Sequence, residues 1–187
     1  MDRFIVRSKE IRMRTFIALE LPTDFAAETA KLQGKLGTVL QANYVPEQFL
    51  HLTLAFLGEL ETNTQLAATQ RAIELATSNF APVSLHPEGL GFFGDPSDAT
   101  VWMGISPTPA LMNLAKSIRS ELSTKGISYD TTPFKPHITL ARHANARRAS
   151  LDGFAMPDTA HATNVTIFKS ELAPKGASYQ ALHSITL

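Results

Sequence analysis

Phe49-Leu50-His51-Leu52-Thr53-Leu54-Ala55-Phe56-Leu57-Gly58 and Phe134-Lys135-Pro136-His137-Ile138-Thr139-Leu140-Ala141-Arg142 read as one strand written twice, about half the chain apart. Both contain His-x-Thr-Leu-Ala in an apolar frame. Side chains at i and i+2 of a strand share a face, so the His and Thr of each copy point the same way. Leu52 with Leu54, and Ile138 with Leu140, point to the opposite face and belong to a core. A lone His-x-Thr means little, and His161-Ala162-Thr163 shows why: it lacks the Leu-Ala continuation and the apolar frame, and is read as coincidence. Two framed copies are different. A duplicated strand needs only the apolar face repeated, whereas here the polar pair repeats too.

Outward from the two motifs, β-branched and aromatic content predicts strands at Thr15 to Glu20, Phe49 to Leu57, Val83 to Phe93, Thr100 to Ile105, Pro136 to Arg142, Asn164 to Ser170 and Gln180 to Leu187. Helices are expected over Asp24 to Gln41, Asn63 to Asn79 and Pro109 to Lys125. The third is the best marked, with Thr108 to cap it, Pro109 in the first turn, Gly126 to stop it and a stripe of Leu111, Leu114, Ala115, Ile118 and Leu122. No Gly, Ser or Pro tract divides the chain. Hairpin-like connections between Leu85 and Trp102, and between Pro133 and Gln180, make antiparallel sheet the expectation, in a single α+β domain of two intertwined lobes.

The 187 residues contain 17 basic and 17 acidic side chains, a formal net charge of zero. That overall field does not hold a long polyanion. With 44% hydrophobic and 18% charged residues the chain is globular, and with no Cys it has neither disulfides nor thiol chemistry nor Cys-ligated metal. No stretch approaches the ~18 apolar residues of a membrane span, and charges interrupt the N-terminus where a signal peptide needs an apolar core. A cytoplasmic protein is expected, with residues 1–13 as an N-terminal extension and 14–187 as one domain.

Two imidazoles and two hydroxyls on rigid strands suit in-line displacement at phosphorus. One imidazole takes a proton from the attacking oxygen, the other gives one to the leaving oxygen, and the hydroxyls hold the non-bridging oxygens. A basic side chain would help, and Arg142 stands three residues after Thr139. Strict alternation from His137 sends it to the other face, so it meets the same phosphate only if the strand bulges or ends there.

These residues resemble the 2H phosphoesterase superfamily, named for paired His-x-Thr motifs, and within it the RNA 2′,3′-cyclic phosphodiesterases, also called 2′-5′ RNA ligases. The resemblance extends from the opening Arg14-Thr15-Phe16-Ile17-Ala18-Leu19-Glu20-Leu21-Pro22 through both motifs to the closing Ser170-Glu171-Leu172-Ala173-Pro174-Lys175-Gly176-Ala177-Ser178-Tyr179. Tyr44 stands where Trp is commoner in the family.

The resemblance implies a bilobal α+β fold, two antiparallel sheet lobes with flanking helices in pseudo-twofold arrangement around a central cleft. It implies hydrolysis of 2′,3′-cyclic phosphodiesters to 2′-phosphates with no cofactor and no metal, and reversible 2′-5′ ligation in some members. By it His51 is the proton donor and His137 the proton acceptor, Thr53, Thr139 and Arg142 bind the phosphate, and a monomer acts on RNA cyclic phosphate ends such as tRNA halves, or on cyclic nucleotides, with no membrane partner. Two other readings remain open: a non-catalytic RNA- or nucleotide-binding protein of the same fold, and a hydrolase of ADP-ribose 1″,2″-cyclic phosphate.

Phe56 and Phe134 flank the motifs as candidates for stacking a base, and Trp102 reads as strand core or cleft wall. Gly91 to Pro96 reads as a plain connection, and His86, His143, His161 and His183 as surface or packing residues. From Thr131 to Leu151 there is no Asp or Glu, while Lys135, Arg142, Arg147 and Arg148 fall there. The global neutrality therefore hides a locally basic second motif.

Overall fold

The structure, a computed structural model, describes residues 10–173 and 176–187. In chain order it runs β1 (Glu10–Glu20), α1 (Thr23–Leu36), β2 (Asn43–Tyr44), a 3-10 turn (Glu47–Phe49), β3 (His51–Thr62), α2 (Asn63–Thr77), β4 (Val83–Leu85) and β5 (Pro87–Phe93). It continues with β6 (Ala99–Ile105), α3 (Pro109–Thr124), β7 (His137–Ala144), β8 (Ala160–Ala162), β9 (Asn164–Ala173) and β10 (Gly176–Thr186). The fold is α+β. One large antiparallel sheet follows the order β10-β9-β1-β3-β7-β6-β5, β2 pairs with β7 beside this path, and β4 with β8 forms a small second sheet. None of the helices among the described residues is long and apolar enough to cross a membrane.

The two expected sheets are thus halves of one. They join where the motif strands β3 and β7 lie side by side, and the single register pair across that seam is Leu52 with Ile138. These are the middle residues of the two His-x-Thr motifs. Antiparallel pairing about this point sets His51 across from Thr139 and Thr53 across from His137. Beneath the seam Leu52, Leu54, Ile138 and Leu140 are fully buried in one core shared by both halves.

Local chemistry explains the helices. Thr108 accepts a hydrogen bond from the Leu111 amide at 3.3 Å and caps α3. Gly126 at φ 69° takes the left-handed stop, and the Ile127 amide returns to the Leu122 carbonyl at 2.9 Å. The stripe expected on α3 is buried throughout. α2 opens on a capping box, in which Thr62 and Gln65 each bond the other's backbone amide, at 3.1 and 3.2 Å.

Several elements differ from the expectation. β1 begins at Glu10, because its partner β3 runs on to Thr62 and gives residues 10–13 a ladder to join; residues 1–9 lie outside the described residues. α1 ends at Leu36 instead of Gln41: the backbone turns at Gly37, and Leu40 drops into a second small cluster with Ala99, Val101, Ala141 and Ala144. The expected strand Val83 to Phe93 is split at His86, its first part pairing with β8 and its second with β6. The two-residue β2 and three-residue β8 are too short to show a period in sequence.

Candidate active site

Each motif histidine is held by the same local device. The Nδ1–H of His51 donates to the Phe49 carbonyl and that of His137 to the Lys135 carbonyl, both at 2.7 Å and both two residues back. A carbonyl only accepts, so Nδ1 carries the proton in both rings and Nε2 is left to work on a substrate. The 3-10 turn places the first carbonyl; Pro136 stiffens the approach to the second.

Both strands then break their alternation at the same place. In β3, Ala18 pairs with Thr53 but Ile17 with Ala55, so Leu54 is an extra residue. In β7, Trp102 pairs with Thr139 but Val101 with Ala141, so Leu140 is extra. Each bulge lies three residues after its histidine and turns the fifth residue back to the face of the first. Those fifth residues are Phe56 and Arg142. Arg142 therefore joins the cleft, and the face that strict alternation gives it is corrected by one inserted residue.

The bulges are themselves tied down from the helices. Gln33 of α1, buried, donates both amide hydrogens, to the Leu140 and Val45 carbonyls at 2.8 Å. Arg119 of α3 donates from Nε to the Leu54 carbonyl at 3.0 Å and from Nη1 to the Thr132 carbonyl at 3.0 Å. A bulge leaves backbone groups outside the ladder, and one side chain per lobe satisfies them.

A cleft of about 980 Å³ is lined by His51, Thr53, Phe56 and Arg142 together with Arg14 and His143. Arg14 lies over the Phe56 ring, its guanidinium carbon 4.9 Å from the centroid, so a second cation faces the same space. Phe134 does not join this lining. Its ring sits under Arg119 at 5.4 Å and packs against the core. His161 is likewise elsewhere, bonded to Ser84 in the small sheet.

The two imidazoles have different surroundings. His51 stacks on Phe16 with centroids 4.7 Å apart and meets Tyr179 edge-on at 5.2 Å. Burial pushes it down to about 4, against the Phe49 hydrogen bond that favours its proton, and the nearby Arg142 and His137 lower it further. His137 meets Phe93 edge-on at 5.2 Å and Trp102 at 6.3 Å. Trp102 can lie there because residue 91 is glycine; a Cβ on it would come within 2.4 Å of the indole. The segment from Gly91, read as a plain connection, thus supplies part of the His137 wall. Phe16 and Phe93 are apolar and outside both motifs, and nothing in their own segments ties them to a histidine.

A family model described as the 2′-5′ RNA ligase superfamily matches residues 21–167, spanning both motifs. The chain belongs to that superfamily. It is an enzyme of the 2H phosphoesterase kind. An RNA 2′,3′-cyclic phosphodiesterase of Thermus thermophilus is 34% identical over 94% of this chain and 90% of its own length. One of Thermotoga maritima is 29% identical over 91% of this chain and 94% of its own. Among solved structures, Escherichia coli LigT complexed with 3′-AMP superposes with a TM-score of 0.76 at 26% identity, covering 95% of this chain and 99% of that one. No three His, Asp or Glu side chains gather as a metal ligand set among the described residues.

Proposed function

We propose that this enzyme hydrolyses 2′,3′-cyclic phosphate ends of RNA to 2′-phosphates by acid–base chemistry between His51 and His137, without a metal. The observation that carries the reading is the pair of imidazoles, each with Nδ1 spent on the carbonyl two residues back, meeting at one seam beside Arg142. Two working Nε2 atoms are what a displacement at phosphorus needs and what simple binding does not. The curated relatives are named RNA 2′,3′-cyclic phosphodiesterases, and LigT holds 3′-AMP in its crystal structure.

In the proposed reaction a water oxygen bonds to phosphorus as His137 takes its proton. The P–O3′ bond breaks and the departing 3′ oxygen receives a proton from His51. Thr53, Thr139 and Arg142 hold the non-bridging oxygens while charge grows on them. An RNA 5′-hydroxyl in place of water gives a 2′-5′ linkage by the same two transfers. Incubation with 2′,3′-cyclic AMP in EDTA, resolving 2′-AMP from 3′-AMP, tests the reading. Turnover to 2′-AMP is expected; no turnover of mononucleotide or oligonucleotide cyclic ends overturns it, and turnover of ADP-ribose cyclic phosphate alone reassigns the substrate.

The depressed His51 favours a second division of labour. An imidazole with its midpoint at about 4 is neutral at pH 7 in the free protein, which is the form of a base, leaving His137 as the acid. A substrate with sulfur in place of the bridging 3′ oxygen separates the two, since a thiolate leaves without an acid. Rescue of His51→Ala by that substrate makes His51 the donor; rescue of His137→Ala reverses the roles.

A further inference from the structure

His143 carries no motif, yet it lines the cleft with His51, Thr53 and Arg142. It is the one residue other than glycine at positive φ among the described residues, at 53°. His tolerates that left-handed conformation better than most side chains, and adopting it marks a position where the surroundings decide the geometry. The surroundings are visible. His143 follows the bulged stretch of β7, and its Nδ1 donates to the Asp98 carboxylate at 2.8 Å, in the turn leading into β6. The same turn is tied to the residues after His143 through the Ala146 amide, which donates to the Pro96 carbonyl at 2.7 Å. With Nδ1 committed to Asp98, Nε2 is the ring nitrogen free of protein partners among the described residues.

His143 stands four residues beyond Thr139, up to ~13 Å along an extended strand and less by the bulges. It follows Arg142 along β7, beyond the residues that hold the reacting phosphate. Its other charged neighbours on the cleft are Arg142 and Arg14, so an anion entering there meets two guanidinium groups and an imidazole whose far side is already bonded to a carboxylate. A phosphate there can accept from Nε2–H while Nδ1–H stays with Asp98.

We infer that His143, oriented by Asp98, binds the phosphodiester immediately 5′ of the reacting cyclic phosphate, and so selects an RNA end over a free cyclic nucleotide. The inference rests on the phosphodiesterase reading above and adds to it a contact that a mononucleotide cannot make.

The test compares 2′,3′-cyclic AMP with an adenylyl dinucleotide ending in a 2′,3′-cyclic phosphate, on wild type and on His143→Asn. Asn accepts the left-handed backbone and offers Asp98 an amide donor, but has no distal nitrogen. Wild type should prefer the dinucleotide in kcat/KM, and the substitution should reduce that preference about ten-fold through KM, the scale of one charge-assisted hydrogen bond. Equal losses on both substrates, or no loss on either, overturn the inference while leaving the phosphodiesterase reading in place. No wild-type turnover of either substrate removes that reading, and this one with it.

Discussion

The strands β3 and β7 carry the same His-x-Thr-Leu-Ala pattern with the same bulge and the same bond to each Nδ1, yet they end in different chemistry. Five residues after its histidine, β3 presents Phe56 under Arg14 and β7 presents Arg142. One half encloses its imidazole among Phe16 and Tyr179; the other sets His137 against Trp102 of β6 and Phe93 of the edge strand β5. Repetition therefore supplies the geometry of the two transfers, and the neighbours that are not repeated make the two imidazoles unequal. Two identical groups would compete for one proton; two unequal ones can divide the task.

The comparison breaks most sharply at the histidines. His51→Ala and His137→Ala should each lower kcat on 2′,3′-cyclic AMP by at least ~10²-fold, and a near-wild-type rate in either would show that one half of the pair is ornamental. The matched fifth positions come next. Arg142→Ala should reduce kcat/KM by about 10- to 100-fold through lost stabilisation of the phosphate oxygens, and Phe56→Ala by clearly less; equal losses would mean that the two positions do the same work after all.

A smaller effect should come from the bulge. Gln33→Leu removes both bonds to the Leu140 and Val45 carbonyls, leaving buried acceptors at a cost of about 1–3 kcal/mol each where water does not replace it. Activity should fall about ten-fold as Arg142 loses its aim, and that loss should vanish in the background of Arg142→Ala. Additive losses in the double variant would place Gln33 in general stability alone.

The smallest effect concerns pH. His51 is lowered from 6.5 to about 4 on folding, so between those values the unfolded chain binds a proton that the folded chain refuses. Above about 6.5 the group is neutral in both states, and the stability it leaves intact there is lost progressively as pH falls toward 4. Denaturant titrations should show wild type losing stability across that window more steeply than His51→Gln. Parallel curves would mean that the aromatic enclosure does not hold the ring neutral.

How much of this was readable in the residues follows from range. His51, Thr53, His137 and Thr139 sit in short motifs whose spacing carries their geometry, and the α3 cap, stripe and stop are each set within four residues. Arg142 needed a fact that spacing does not hold, since a bulge depends on Gln33, distant in sequence, satisfying the Leu140 carbonyl. Phe134, a candidate by its place beside the motif, lies under Arg119, a contact with α3 that its own segment does not announce. His143 was passed over because its partner Asp98 lies on another strand's approach.

The seam at Leu52 and Ile138 has a mechanical consequence. A sheet seven strands across narrows to one backbone pair at the point where a histidine of each half stands beside it. Leu52 and Ile138 are both buried in the core common to the two halves, so that core is the footing on which the two working atoms stand. A change of side-chain volume beneath the seam would alter the reach between the imidazoles without touching either ring.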